Sequence, residues 1–196
     1  AHMTEYLLLL GSDQFLRERA YVGGKAIGDF QIWTAIQNAK YKYNAYFDFC
    51  IDANPLSYEE IKKELAYYQI QGYEPKSIVP LNDWTLEVAN QLNRDYGLPY
   101  LEPKVIKACR NKHIMKSLFE KANIPTAKSI QFNDATELKE CIKEFTFPVI
   151  IKPMDFGGSG GVYLANNEKE CMDAYRKSKK AHNVPVQSPE YWPQNW

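Results

Sequence analysis

The residues that constrain this chain most are Phe147-Pro-Val-Ile-Ile-Lys152, an apolar strand-like run that ends in a lysine. A glycine-rich stretch, Gly157-Gly158-Ser159-Gly160-Gly161, follows, and a second apolar run begins at once, Val162 to Ala165. Strand, glycine loop, strand is a restrictive order. Glycine lets successive backbone N–H groups close around phosphate oxygens without side-chain clash, and Lys152 adds a point charge beside them, so the loop suits a nucleotide's phosphates. A dinucleotide-binding fingerprint or a P-loop would pass from strand into helix, and no G-x-x-x-x-G-K-[ST] occurs; neither motif fits. Taken alone, the same glycines also suit a plain hairpin turn.

The chain before this segment alternates strand and helix patterns. Tyr6 to Leu10 is a buried-strand run emptying into Gly11-Ser12-Asp13, and Tyr46 to Ile51 reads as a second strand. The stretch between them, Phe15 to Tyr46, is aromatic and poorly periodic. Ser57 caps a helix with Ile61, Leu65 and Tyr68 on one face, ending by Gly72. Ser77 to Leu81 is a third strand, and Asn82 or Asp83 caps a helix that stops at Gly97. Such alternation predicts a mostly parallel α/β sheet over residues 4–101, with the domain boundary in the Gly97 to Lys104 break. Residues 102–180 form a second, smaller α+β unit: helices in two pieces over Glu102 to Ala122, a strand over Ala127 to Phe132, a helix over Asp134 to Phe145, strands at Val149 to Lys152 and Val162 to Ala165, and a helix from Asn167 to Lys180 burying Cys171, Met172 and Tyr175. Residues 181–196 read as an irregular tail.

A second feature lies upstream of the glycine loop, in Cys109-Arg-Asn-Lys-His-Ile-Met-Lys116 and Ala122-Asn-Ile-Pro-Thr126. A helix opening with Asn-Lys, an apolar helix face, an Asn-Ile-Pro-Thr exit, then Phe-Pro-Val-Ile-Ile-Lys-Pro and Gly-Gly-Ser-Gly-Gly-Val resembles the ATP-grasp superfamily of biotin carboxylase, carbamoyl-phosphate synthetase and the amino-acid ligases. The likeness covers about Val105 to Tyr175, and the α/β region before it is similar to the pre-ATP-grasp domain of those enzymes. The resemblance implies that Lys112 and Lys152 contact the phosphates of ATP, and that Gly157, Gly158, Ser159, Gly160 and Gly161 form the loop over them. A lysine at a helix N-terminus opposes the macrodipole, so Lys112 suits anion binding better than helix stability. A lysine closing an apolar strand needs a polar partner or a ligand. Arg110 and Lys116 read as surface charges.

Complete relatives continue into a second lobe that holds the adenosine and the magnesium ligands, and this sequence is expected to lack it. Glu190-Tyr191 resembles the hinge strand of that lobe only faintly, because Pro189 and Pro193 break the ladder. The reading is therefore the N-terminal portion of an ATP-dependent carboxylate–amine ligase working through an acylphosphate. It takes ATP and, in the parent, a small carboxylate, an amine and Mg whose ligands this chain does not supply. It is expected to be inactive by itself, whether as an expressed fragment, a natural truncation or a frameshifted product. The competing reading is a non-catalytic nucleotide-binding or interaction protein, for which four tryptophans and fourteen tyrosines offer interface material and self-association is expected.

Composition removes other classes. Lys plus Arg and Asp plus Glu both total 24, so no net field draws the chain to nucleic acid or to an anionic bilayer. The Tyr6 to Leu10 run is far short of the roughly 20 residues a membrane helix needs, and a cytoplasmic setting is expected. Cys50, Cys109, Cys141 and Cys171 are scattered without a C-x-x-C pair, and His113 and His182 lie far apart, so no metal site is expected and no catalytic nucleophile is assigned. Ala1-His-Met3 reads as a cloning scar.

Overall fold

The computed structural model describes residues 2–11, 18–37, 47–154 and 160–182. It divides into two compact units, Ala1–Ile106 and Lys107–Trp196. Backbone over 96–102 is irregular, and the division falls a little later, inside the helix Pro103–Arg110. Among the described residues no helix is long and apolar enough to cross a membrane.

The first unit is built on a parallel sheet of four strands, β1 (Thr4–Leu10), β2 (Gln31–Ala35), β3 (Phe49–Ile51) and β4 (Tyr73–Pro80), in the order β3-β2-β1-β4. Helix α1 (Glu18–Ala26) connects β1 to β2, and α2 (Tyr58–Ile70) connects β3 to β4. Helix α3 (Leu86–Asp95) follows β4 through a short 3₁₀ turn at Asp83–Thr85, whose N-cap is Asn82. The last five residues of β1 are all buried, as befits a strand covered on both faces. Ser57 caps α2 as expected, its side chain accepting from the Glu60 N–H. Gly72 and Gly97, at φ +93° and +67°, turn the chain out of α2 and α3 in the left-handed region that glycine enters without strain.

β2 is the strand that the sequence pattern hides, lying within the poorly periodic stretch. Its residues Ile32 to Ala35 are all buried, so no polar alternation marks it. Trp33 instead shows its place by stacking on Tyr6 at 3.9 Å and meeting Phe49, Tyr68 and Tyr73 at ring distances of 4.9, 5.2 and 5.3 Å. The strand expected over Tyr46 to Ile51 is regular only from Phe49, and Tyr46 lies outside the described residues.

β4 is an edge strand, and α3 covers its open backbone. The buried Asn93 amide accepts from the Ile78 N–H at 3.0 Å and donates to the Ile78 carbonyl at 2.7 Å. One side chain thus substitutes for one residue of a further strand. Asn93→Ala should lower the free energy of unfolding by about 2–4 kcal/mol, because two buried backbone groups lose their partner; urea unfolding of the variant measures it.

Asp48 fastens the start of β2. Its carboxylate accepts from the Ile32 N–H at 2.8 Å and pairs with Lys25. Partial burial pushes this carboxyl up, but the Lys25 hydrogen bond, the Ile32 hydrogen bond and the Lys25 charge outweigh it and hold the group below its ordinary 3.8. With the folded value depressed, the contribution is present at neutral pH and drains away as pH falls below about 4. Asp48→Asn should therefore differ from the parent chain in unfolding midpoint at pH 7 and converge with it toward pH 2, which a pH series of thermal melts checks.

In the second unit, α4 (Pro103–Arg110) gives way to α5 (Lys112–Lys121), then α6 (Ala135–Cys141), β5 (Val149–Ile151), β6 (Tyr163–Ala165) and α7 (Glu168–His182). β5 and β6 pair antiparallel, with Ile151 opposite Tyr163 and Val149 opposite Ala165. Ile151 and Ala165 face a core with Leu138, Ile142, Cys171 and Ala174, while Ile150 and Leu164 are exposed on the other face. The Asp-x-x-Glu and Asn-x-x-Glu starts of α6 and α7 are capping boxes. Asp134 accepts from the Glu137 N–H while Glu137 accepts from the Asn133 N–H; Asn167 and Glu170 repeat the arrangement with Asn166. The expected burial of Cys171 is complete, whereas Met172 and Tyr175 are half-buried and Ala174 and Ser178 fill the face instead.

One expectation is corrected in this unit. Residues Ala127 to Phe132 form no strand. The Ala127 carbonyl accepts from the Lys116 ammonium, and Lys128 reaches out of the segment to Glu144. The face Ile114, Met115, Leu118 and Phe119 of α5 contains no buried residue; Ile114 and Leu118 are exposed.

Candidate functional site

β5 runs toward the candidate site and ends at Ile151, one residue short of Lys152. Gly157, Gly158 and Ser159 of the glycine loop lie outside the described residues, which resume at Gly160. Gly161, at φ +71°, brings the chain back into β6, and a Cβ there would stand 3.0 Å from Cγ of Pro153 and 3.4 Å from the Ser178 carbonyl. The loop's return thus packs against its own outgoing stem and the last turns of α7.

Lys112 reaches the same place from α5. Its backbone N–H donates to the Met154 carbonyl at 3.0 Å, and its Nζ approaches the same oxygen at 3.4 Å. Asn111 caps the helix by accepting from the His113 and Ile114 N–H groups, both at 3.0 Å. The Asn111 N–H donates to the Lys107 carbonyl at 2.9 Å, so all four N–H groups that a helix start leaves without an intrahelical partner are satisfied. An anion at this end would be met mainly by side chains and the dipole, not by bare helix N–H groups.

Lys152 is exposed. The expectation that it must find a partner because burial demands one does not hold, since its ammonium is solvated. What marks it is its placement on the rim that Lys112 shares.

Between these elements lies a cavity of about 500 Å³. Buried Leu138, Ile142 and Ile151 are among its walls, and Lys112, His113, Lys116, Lys128 and Lys152 bring nitrogen to it. Among the described residues that line it there is no carboxylate. A chain with equal numbers of acids and bases has gathered four ammonium groups around one apolar hollow. Such a hollow suits a flat apolar body carrying several negative charges.

Two of these residues were missed as site components. Lys116, read from the sequence as a surface charge, lines the cavity and donates to Thr126 Oγ1 at 3.1 Å and to the Ala127 carbonyl at 2.8 Å. Lys128 donates to the Glu144 carbonyl and to Glu144 Oε2, both at 3.0 Å, so its charge is offset. The signal for Lys116 was present: it stands four residues after Lys112, hence on the same side of α5. No signal marks Lys128, whose role depends on the fold of the segment after α5. Among the described residues no group of His, Cys, Asp and Glu could hold a metal ion.

Residues 110–183 match the family described as phosphoribosylglycinamide synthetase, ATP-grasp (A) domain. Over that part the chain is similar to the ATP-grasp superfamily. The phosphoribosylamine–glycine ligase of Arabidopsis thaliana chloroplasts is 41% identical over 64 residues, which span 33% of this chain and 12% of that protein. A D-alanine–D-alanine ligase of Clostridium botulinum is 35% identical over 82 residues, or 40% of this chain and 27% of the ligase. The biotin carboxylase domain of Hydrogenobacter thermophilus 2-oxoglutarate carboxylase, solved as a dimer with MgADP, ADP and bicarbonate, shares the fold at a TM-score of 0.69 and 22% identity; the likeness covers 92% of this chain and 42% of that one. This chain thus spans less than half the length of these relatives, and its mixed α/β fold with a parallel sheet corresponds to their N-terminal portion.

Gly161→Ala should destabilise the second unit by about 1–2 kcal/mol, the cost of a left-handed conformation for a residue with a Cβ, and the close approach to Pro153 adds to it. Denaturant unfolding of the variant gives the value.

Proposed function

We propose that this chain is the nucleotide-binding front part of an ATP-dependent carboxylate–amine ligase. In this reading the first unit is the pre-ATP-grasp domain and residues 107–180 are the first ATP-grasp subdomain. The observation that carries the proposal is the apolar cavity ringed by lysines, with Lys112 and Lys152 on one rim at the stem of the glycine loop. A purine ring would take the apolar wall, the two ammonium groups would meet the phosphates, and Gly157 to Gly161 would close over them. The names of two relatives, a phosphoribosylamine–glycine ligase and a D-alanine–D-alanine ligase, support the choice of carbon–nitrogen bond formation, while the Hydrogenobacter domain belongs to a carboxylase.

Phosphoryl transfer asks little covalent chemistry of a protein. A substrate carboxylate oxygen would attack the γ-phosphorus, and the bond to the β,γ-bridging oxygen would break with ADP as leaving group. The amine nitrogen would then attack the acyl carbon of the acylphosphate, the acyl C–O bond would break to release inorganic phosphate, and the nitrogen would give up a proton to leave the amide. Lys112 and Lys152 would hold the phosphates in line and offset the charge that develops on their oxygens. Magnesium is used by relatives of this fold, the Hydrogenobacter domain among them. The described residues provide no carboxylate cluster for it, so the lysines are the only charge compensation assigned to this chain.

A second reading, an interaction protein, is favoured by the exposed apolar pair Ile150 and Leu164 and by Ile114 and Leu118. Self-association by light scattering without any ATP binding would select it.

Two solvated lysines and a few backbone donors correspond to a dissociation constant on the order of 1 mM or weaker. ATP should therefore leave the melting temperature almost unmoved well below that concentration and raise stability by about 1.4 kcal/mol at ten times the constant. Lys152→Ala should remove the shift. An unchanged shift in Lys152→Ala, or none in the parent chain at saturating ATP, would overturn the assignment.

A further inference from the structure

One wall of the cavity, residues 127–132, belongs to no helix and no strand, so its position cannot come from a backbone ladder. Two lysine side chains fix it. Toward α6 and the turn after it, Lys128 grips Glu144 through both the carbonyl and the carboxylate. Toward α5, the Lys116 ammonium donates to Thr126 Oγ1 and to the Ala127 carbonyl. Lys116 sits one helical turn from Lys112, and both line the cavity. Like charges at this spacing cost a helix a few tenths of a kcal/mol, so the arrangement does not serve helix stability.

We infer that Lys116 is a positioning residue for the nucleotide site: through Ala127 and the adjoining Thr126 it holds the 127–132 wall at the width the ligand needs while extending the positive rim that Lys112 begins. The inference rests on the proposed nucleotide reading of the cavity. The ligand class is a nucleoside di- or triphosphate. An ammonium has three donors, and two are engaged by the wall, so the charge is fixed in place rather than swinging freely. A rim of fixed cations favours a polyphosphate over a monophosphate, because each added phosphate charge meets a cation already in position.

The test is equilibrium dialysis of the full chain against ATP, ADP and AMP, with thermal melts alongside, for the parent chain, Lys116→Met, Lys116→Arg, Thr126→Val, the double variant Lys116→Met/Thr126→Val, and Lys152→Ala. Lys116→Met should weaken ATP binding by about tenfold and shrink the preference for ATP over AMP. Lys116→Arg, which keeps charge and donors, should restore most of both. Thr126→Val, which removes one acceptor and preserves shape, should weaken ATP by about threefold. The double variant should bind no more weakly than Lys116→Met, since the contact is already gone. A merely structural lysine would lower the melting temperature and leave the ATP-to-AMP ratio unchanged. If Lys116→Met binds as the parent chain does while Lys152→Ala has lost ATP, the inference is wrong and the nucleotide reading stands. If the parent chain itself takes up no ATP, both fall. Should Lys116→Met fail to fold, Thr126→Val and Lys116→Arg decide alone: equal affinity and equal selectivity across Thr126→Val and the parent overturns the inference.

Discussion

The backbone hydrogen bond from Lys112 to the Met154 carbonyl joins the first residue of α5 to the stem that leaves β5. Without it, two lysines forty residues apart in sequence would belong to separate surfaces. With it, Lys112 and Lys152 share a rim at the stem Pro153–Met154 that leaves β5. The bond is possible because Asn111 turns the chain into α5 while capping the next two N–H groups, leaving the Lys112 N–H to point outward. The β5–β6 pair supplies the rigid side of the junction, since Ile151 and Ala165 are locked into the core with Leu138, Ile142 and Cys171.

Around that junction the chain has separated its charges. The whole sequence is neutral, yet the described lining of the cavity carries four lysines and no acid. Acidic residues near it are placed where they organise backbone or cations outside the hollow: Glu144 engages Lys128, while Asp134 and Glu137 serve the start of α6. The apolar floor lowers the local dielectric, so each remaining cation acts more strongly on a bound anion than it would in bulk water. Geometry and charge thus favour the same occupant. The sheet of the first unit is stabilised by its own aromatic cluster around Trp33 and by the Asn93 amide on the β4 edge.

Much of this was legible in the sequence. The two strands that flank the Gly-rich segment, the Asn-Lys helix start, and the Ser57, Asn82 and Asp134 caps all sit where local chemistry puts them, because each acts over three or four residues. What was hidden depends on tertiary surroundings. β2 is buried on both sides and shows no alternation, and Trp33 reveals it only by its partners. Ser129 to Phe132 alternate polar and apolar side chains as a strand would, yet the Ala127 carbonyl takes its hydrogen bond from the Lys116 side chain and residues 127–132 join no ladder. Lys116 looked like a solvated charge because its two acceptors, Thr126 and Ala127, come close only after the chain has folded back at Ile124, whose N–H returns to the Phe119 carbonyl.

The central claim is that a nucleotide polyphosphate binds at the Lys112–Lys152 rim of the second unit. The most direct measurement is a backbone amide chemical-shift map of the full chain during titration with ATP. The account predicts movement of the Lys112, His113, Ile150, Met154, Gly160 and Gly161 signals, with the first unit unperturbed. Perturbations gathered instead at Gly11 and Asn82, where β1 and β4 end at the point at which the strand order reverses, with none at Lys112 or Met154, would contradict it.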